Sequence, residues 1–89
     1  MALIYFYSNQ LFCSVNHRDT QYLEAFGKNL KRVRESKGLS QEDLAAKADS
    51  VLSQVGRIER GKRAPTILTV QKLADALEVN VKELFNFSS

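Results

Sequence analysis

The sequence predicts an all-α domain of five helices in about 67 residues. Three observations lead there. Apolar residues recur at three- and four-residue steps through most of the chain. Several of these stretches open on a Ser, Thr, Asp or Asn able to cap a helix. Two of them close on a glycine, Gly38 and Gly61, and the connections between stretches are short.

The first helix is expected from about Asp19 or Thr20 to Ser36. Tyr22, Leu23, Phe26, Leu30 and Val33 make its inward stripe, with Lys28, Lys31, Arg32 and Glu35 largely off it. Gly38 stops the helix at the C′ position. Ser40 starts the second, in a Ser-x-x-Asp capping box with Asp43. Leu44, Ala45 and Ala48 form its inner face, and the two alanines are small enough for a steep crossing with a neighbouring helix. A turn, Asp49-Ser50-Val51, leads to a third helix ending at about Arg60. Val55 and Ile58 point inward, with Leu52 or Val51 at the start. Leu52, Ser53, Gln54, Gly56 and Arg57 are its exposed positions. Gly61 ends it. After the loop Lys62-Arg63-Ala64-Pro65, Thr66 caps a fourth helix carrying Ile67, Val70, Leu73, Ala74 and Leu77. Asn80 caps a fifth, Asn-x-x-Glu with Glu83, carrying Val81, Leu84 and Phe85.

A chain of 89 residues supports one domain with one small core. The formal net charge of +3 is modest, and its distribution says more. Residues 1 to 16 carry no charged side chain. Two basic clusters follow: Lys28, Lys31, Arg32, Arg34, Lys37, and then Arg57, Arg60, Lys62, Arg63. Such grouping fits a polyanion partner, and either cluster alone fits a solvated helix face as well.

Several function classes are excluded. Cys13 has no partner for an intrachain disulfide. With His17 it makes one Cys and one His, too few for a zinc site, so no metal is expected. No nucleophile–base set and no Gly-rich phosphate loop is present, and the chain is short for a buried pocket. Neither an enzyme, nor a cofactor, nor a small-molecule ligand is expected. The apolar stretch at residues 1–15 is shorter than the roughly 20 residues of a membrane span and is broken by Ser8, Asn9 and Gln10. It also lacks the basic start of a secretory signal. The expected compartment is the cytoplasm, without a membrane partner.

From Phe26 to Phe85, about two thirds of the chain, the residues resemble the phage-repressor and Cro type of helix-turn-helix domain, also called Xre-like. The resemblance rests on Arg34, Gly38-Leu39-Ser40-Gln41, Leu44-Ala45, Ile58-Glu59-Arg60-Gly61-Lys62, Pro65, Leu73-Ala74 and Leu84-Phe85, in order and at these spacings. It does not cover residues 1 to about 20. It implies a compact five-helix, lambda-repressor-like DNA-binding domain at 19–89, its helix-turn-helix at about 40–60, preceded by an apolar extension at 1–18.

The resemblance further implies that the third helix enters the major groove while the second lies across the phosphate backbone. Gln41, at the start of the second helix beside Ser40, would then hold a phosphate. Arg57 leads the base-reading candidates, because Arg can bond guanine O6 and N7 together; Gln54, Ser53 and Leu52 follow. The other reading of Arg57 is a surface ion pair with Glu42 or Asp49. Arg60, Lys62 and Arg63 suit phosphates, which position a domain without reading sequence. Arg34 and Glu59 match a partly buried salt bridge of the family, a structural pair outside the DNA contact.

Three positions depart from the pattern. Asp49 stands where the turn normally carries Gly, and Asp tolerates left-handed backbone better than most residues. Val51 stands where a Ser or Thr cap normally begins the third helix, so either Ser50 caps one residue early or Ser53 one turn late. Gly56 lies inside that helix, either to admit a close approach of DNA or without function.

Residues 2–7, Ala-Leu-Ile-Tyr-Phe-Tyr, have high β-propensity and no charge. They either pack on the domain or on a second subunit, or precede the natural start, or form a loose tail. A homodimer is expected, reading half-sites about 34 Å apart in a near-palindrome. The expected function is sequence-specific double-stranded DNA binding by a small, repressor-like transcriptional regulator. The alternative is a protein-interaction module with the same fold and no specific DNA contact.

Overall fold

Helix α1 (His17–Ser36) is the longest element of the computed structural model, which describes residues 17–88. It is followed by α2 (Gln41–Lys47), α3 (Leu52–Glu59), α4 (Ile67–Leu77) and α5 (Val81–Leu84). The helix α1 packs on α3 and α5, α2 packs on α3 and α4, and α4 closes on α5. His17 and Arg18 belong to α1, although the sequence suggested a start at Asp19 or Thr20. The rest of the extension, with its expected subunit contact, lies outside the described residues. Among the described residues no helix is long and apolar enough to cross a membrane.

The helix ends follow local chemistry. Ser40 Oγ accepts from the Asp43 N–H at 3.0 Å, and Asp43 Oδ2 accepts from the Ser40 N–H at 3.0 Å. These bonds with the Ser40 backbone and hydroxyl hold the Asp43 carboxyl below the usual carboxylate range. Thr66 Oγ1 accepts from the Thr69 N–H at 3.1 Å. Asn80 caps α5 through the Lys82 N–H, not through the third-position pairing with Glu83 expected from the sequence. The Glu83 N–H is bonded instead to the Asn80 carbonyl at 2.9 Å.

Four helices stop in the same way. After α1, the Leu39 N–H bonds the Arg34 carbonyl and the Gly38 N–H bonds the Glu35 carbonyl, a Schellman motif with Gly38 at φ 73°. The same pair of bonds closes α2 with Asp49 in the left-handed position, α3 with Gly61 and α4 with Glu78. Asp49 (φ 56°) and Glu78 (φ 60°) carry a Cβ in a conformation that disfavours one.

Leu30, Leu44, Val55, Ile58, Leu73, Leu77 and Leu84 are the largest fully buried side chains, and Phe26, Val33, Ala45, Ala48, Val70 and Ala74 complete the core. Tyr22 and Phe85, expected inward, are 45% and 43% exposed, although the Phe85 ring lies 5.0 Å from that of Phe26 and the Tyr22 ring 5.2 Å from that of Phe87. Ile67 is also corrected. It is 86% exposed because the first turn of α4 overhangs the core, which that helix meets only from Val70 onward.

Candidate DNA interface

Glu59, at the end of α3, is the centre of a buried polar network. Its carboxylate accepts from Arg34 Nε at 2.7 Å, from Arg34 Nη2 at 3.1 Å and from Gln41 Nε2 at 2.8 Å. The Arg34 and Glu59 side chains are only 8% and 3% exposed. A third guanidinium nitrogen, Arg34 Nη1, donates to the Leu39 carbonyl at 2.8 Å, which ties α1 to the turn before α2. Bonding to Glu59 raises the pKa of Arg34 above its ordinary value, against the opposing effect of burial. Through this network the end of α1, the start of α2 and the end of α3 are joined.

The backbone around this network is close-packed. Gly27 of α1 lies directly on the end of α3. A methyl group there would overlap the Glu59 carbonyl and come within 2.5 Å of the Ile58 carbonyl oxygen. Gly61 bears on α1 in the same way, its absent Cβ falling 2.8 Å from the Glu24 Cα. The ion pair can form because α1 and α3 approach to this distance.

On the outer side of α3, Ser53, Arg57 and Arg60 follow one another at three- and four-residue steps, opposite the buried Val55 and Ile58. All three are exposed. Among the described residues Arg57 makes no ion pair with Glu42 or Asp49. Leu52 is exposed at the first position of the helix. Gln54 differs from its neighbours: it is half-buried, and its Oε1 accepts from Ser50 Oγ at 3.3 Å, which turns it toward the preceding turn. Lys62 and Arg63 are exposed in the loop that follows.

Gly56 is not one of the exposed positions. It is buried beneath side chains: a Cβ there would meet Arg60 Nη1 at 3.0 Å and Gln41 Oε1 at 3.7 Å. The third helix starts with Val51 as its N-cap residue and without a side-chain cap. Neither Ser50 nor Ser53 takes that role, since Ser50 is bonded to Gln54 and Ser53 lies inside the helix.

A helix-turn-helix family model matches residues 30–84, more than half of the chain. The chain belongs to the helix-turn-helix family. It is 41% identical over 58 residues to the HTH-type transcriptional regulator y4dJ of Sinorhizobium fredii, covering 65% of this chain and 75% of that protein. It is 35% identical over 65 residues to the control protein C.BamHI of Bacillus amyloliquefaciens, covering 72% and 80%. Among solved structures, the restriction-modification controller protein C.AhdI of Aeromonas hydrophila superposes with a TM-score of 0.70 at 44% identity, over 71% of this chain and 96% of that one.

In this helix-turn-helix domain the first basic cluster is divided. Arg34 is spent on Glu59. Arg32 Nε and Nη2 donate to Asn29 Oδ1 at 3.0 and 2.8 Å, leaving Lys28, Lys31 and Lys37 in solvent. Asn29 is a residue that sequence reasoning missed. It is buried, and its Nδ2 donates to the carbonyls of Glu83 and Leu84 at 2.8 and 2.9 Å, so that α1 caps the end of α5. Gly27 was also missed. Its one signal was a glycine inside a strongly periodic helix, where it costs about 1 kcal/mol relative to Ala without a packing reason.

Proposed function

We propose that this chain is a transcriptional regulator that binds a specific duplex sequence with α3 in the major groove. One observation carries the reading: Arg57 stands exposed on the outer side of α3, without an ion pair among the described residues, opposite the Val55 and Ile58 anchor. Ser53 shares that side and Leu52 opens the helix, whereas the Ser50 bond makes Gln54 the weaker candidate for reading a base. Gln41, Ser40, Arg60, Lys62 and Arg63 flank α3 as phosphate ligands. One short reading helix spans few base pairs, so two copies on a near-palindromic operator supply the affinity a regulator needs. The extension at residues 1–16 is the candidate for joining them, and sedimentation of a chain lacking it measures that contribution. The regulator acts in the cytoplasm, most simply by denying polymerase its promoter.

Selection of bound duplexes from a random pool tests the reading. Arg57→Ala relaxes preference at one base pair, by roughly 1–3 kcal/mol. Lys62→Ala weakens all sequences alike and lowers the salt dependence by about one unit of slope. A chain that binds no duplex even at low salt is a protein-interaction module instead.

A further inference from the structure

Gly56 lies in the middle of α3, a poor place for a glycine on helix propensity alone. The core does not explain it. The three nearest heavy atoms that a Cβ would meet belong to Arg60 and Gln41: Nη1 at 3.0 Å, Cζ at 4.0 Å and Oε1 at 3.7 Å. Two side chains from different helices thus converge over one bare stretch of backbone.

Each arrives there for a separate reason. Gln41 is held from below, its Nε2 bonded to a Glu59 carboxylate that Arg34 fixes in turn. That bond turns the carboxamide oxygen, Oε1, over Gly56. Arg60 stands one helical turn beyond Gly56 and folds back over it, with its charge at the protein surface. The Gln41 atom that lies over Gly56 is the acceptor Oε1, which suits a neighbouring guanidinium, and the guanidinium N–H groups in turn suit a phosphate oxygen. We propose that Gly56 is a positioning residue for DNA binding: its missing side chain seats the Arg60 guanidinium over α3 near Gln41 Oε1, and that guanidinium grips one backbone phosphate. This inference rests on the DNA-binding reading above.

A methyl group at position 56 is crowded only by the far end of a flexible arginine, with Gln41 Oε1 at ordinary contact distance, so it shifts Arg60 without disturbing the core. Folding and binding should therefore respond differently. Gly56→Ala, Arg60→Ala and the double variant are compared in the full chain, on the duplex recovered by selection. The expected result for Gly56→Ala is an unchanged or raised urea midpoint together with an affinity about tenfold lower, the size of one charge-assisted hydrogen bond. The loss should be similar on a scrambled duplex, because a phosphate carries no sequence. In the Arg60→Ala background the same methyl should have no further effect beyond about twofold. Relaxation of the Arg60 Nε–H in the free protein should show an ordered side chain in the wild type and a mobile one in Gly56→Ala.

Undiminished affinity in Gly56→Ala overturns the proposal. So does an equal loss with Arg60 already removed, which would mean that the methyl group obstructs DNA directly. A lowered urea midpoint that accounts for the loss makes Gly56 structural. Equal Arg60 mobility in the two proteins overturns the seat itself, without any use of DNA. A wild-type chain that binds no duplex overturns the DNA reading, and the phosphate contact with it.

Discussion

Removing the Glu59 carboxylate should cost more than any single change on the outer face of α3. In Glu59→Ala three hydrogen bonds disappear, two from Arg34 and one from Gln41. The Arg34 guanidinium stays where it is, 8% exposed, with the Leu39 carbonyl as its remaining acceptor. Breaking one side of a buried pair leaves an uncompensated charge, at a cost of about 3–5 kcal/mol. A domain of this size has about 5–15 kcal/mol of stability in total, so the variant loses about a fifth of it or more. At about 4–8 °C per kcal/mol, the thermal midpoint should fall by roughly 12 °C or more. Urea unfolding followed by far-UV circular dichroism measures the free energy directly. Replacing both partners, Arg34→Met with Glu59→Leu, should recover most of the loss, because the penalty comes from the orphaned ion. A Glu59→Ala unfolding free energy within about 1 kcal/mol of the wild type would refute the argument, since that is the cost of a solvent-screened surface pair.

Three further outcomes follow from the backbone and the caps. Gly27→Ala should destabilise by about 3 kcal/mol despite its better helix propensity, since the new methyl group meets backbone carbonyls that cannot move without parting α1 from α3; a raised urea midpoint would contradict the close approach. Glu78→Gly should stabilise by about 0.5–1 kcal/mol by relieving a left-handed residue at the end of α4, and calorimetry showing a lower midpoint would argue against that strain. Asp43 has its pKa lowered by the Ser40 bonds, so its contribution is present above the unfolded carboxylate pKa of about 3.9 and is lost as pH falls through the lower folded value. The stability gap between the wild type and Asp43→Asn should accordingly narrow in acid, and a gap that stays constant from pH 6 to pH 2 would count against the capping role.

Much of the fold was legible because helix ends are written locally. Ser40 with Asp43, Thr66 with Thr69, and the stops at Gly38 and Gly61 involve residues within a few positions of one another. Even Asp49, where a glycine is usual, takes the left-handed turn that its side chain tolerates. The inward stripes of α1 and α4 are largely right for the same reason, and they fail at Tyr22 and Ile67, where the stripe runs past the edge of the core. Arg34 and Glu59 came from the family resemblance and not from their spacing, because nothing local joins two residues 25 positions apart.

The sequence by itself determined the helix order, the caps, the family and the residue types available to meet DNA. Those follow from interactions within a turn or two of chain and from a motif with ordered spacings. Only the tertiary structure decided which of those residues are free to act. It committed Arg34 to Glu59 and Arg32 to Asn29, turned Gln54 toward Ser50, and left Arg57 exposed. It also placed Gly27 against the end of α3 and Gly56 beneath Gln41 and Arg60. The physical reason is distance in the chain: the space around a glycine, or the partner of a buried carboxamide 54 positions away, is set by how separate helices cross.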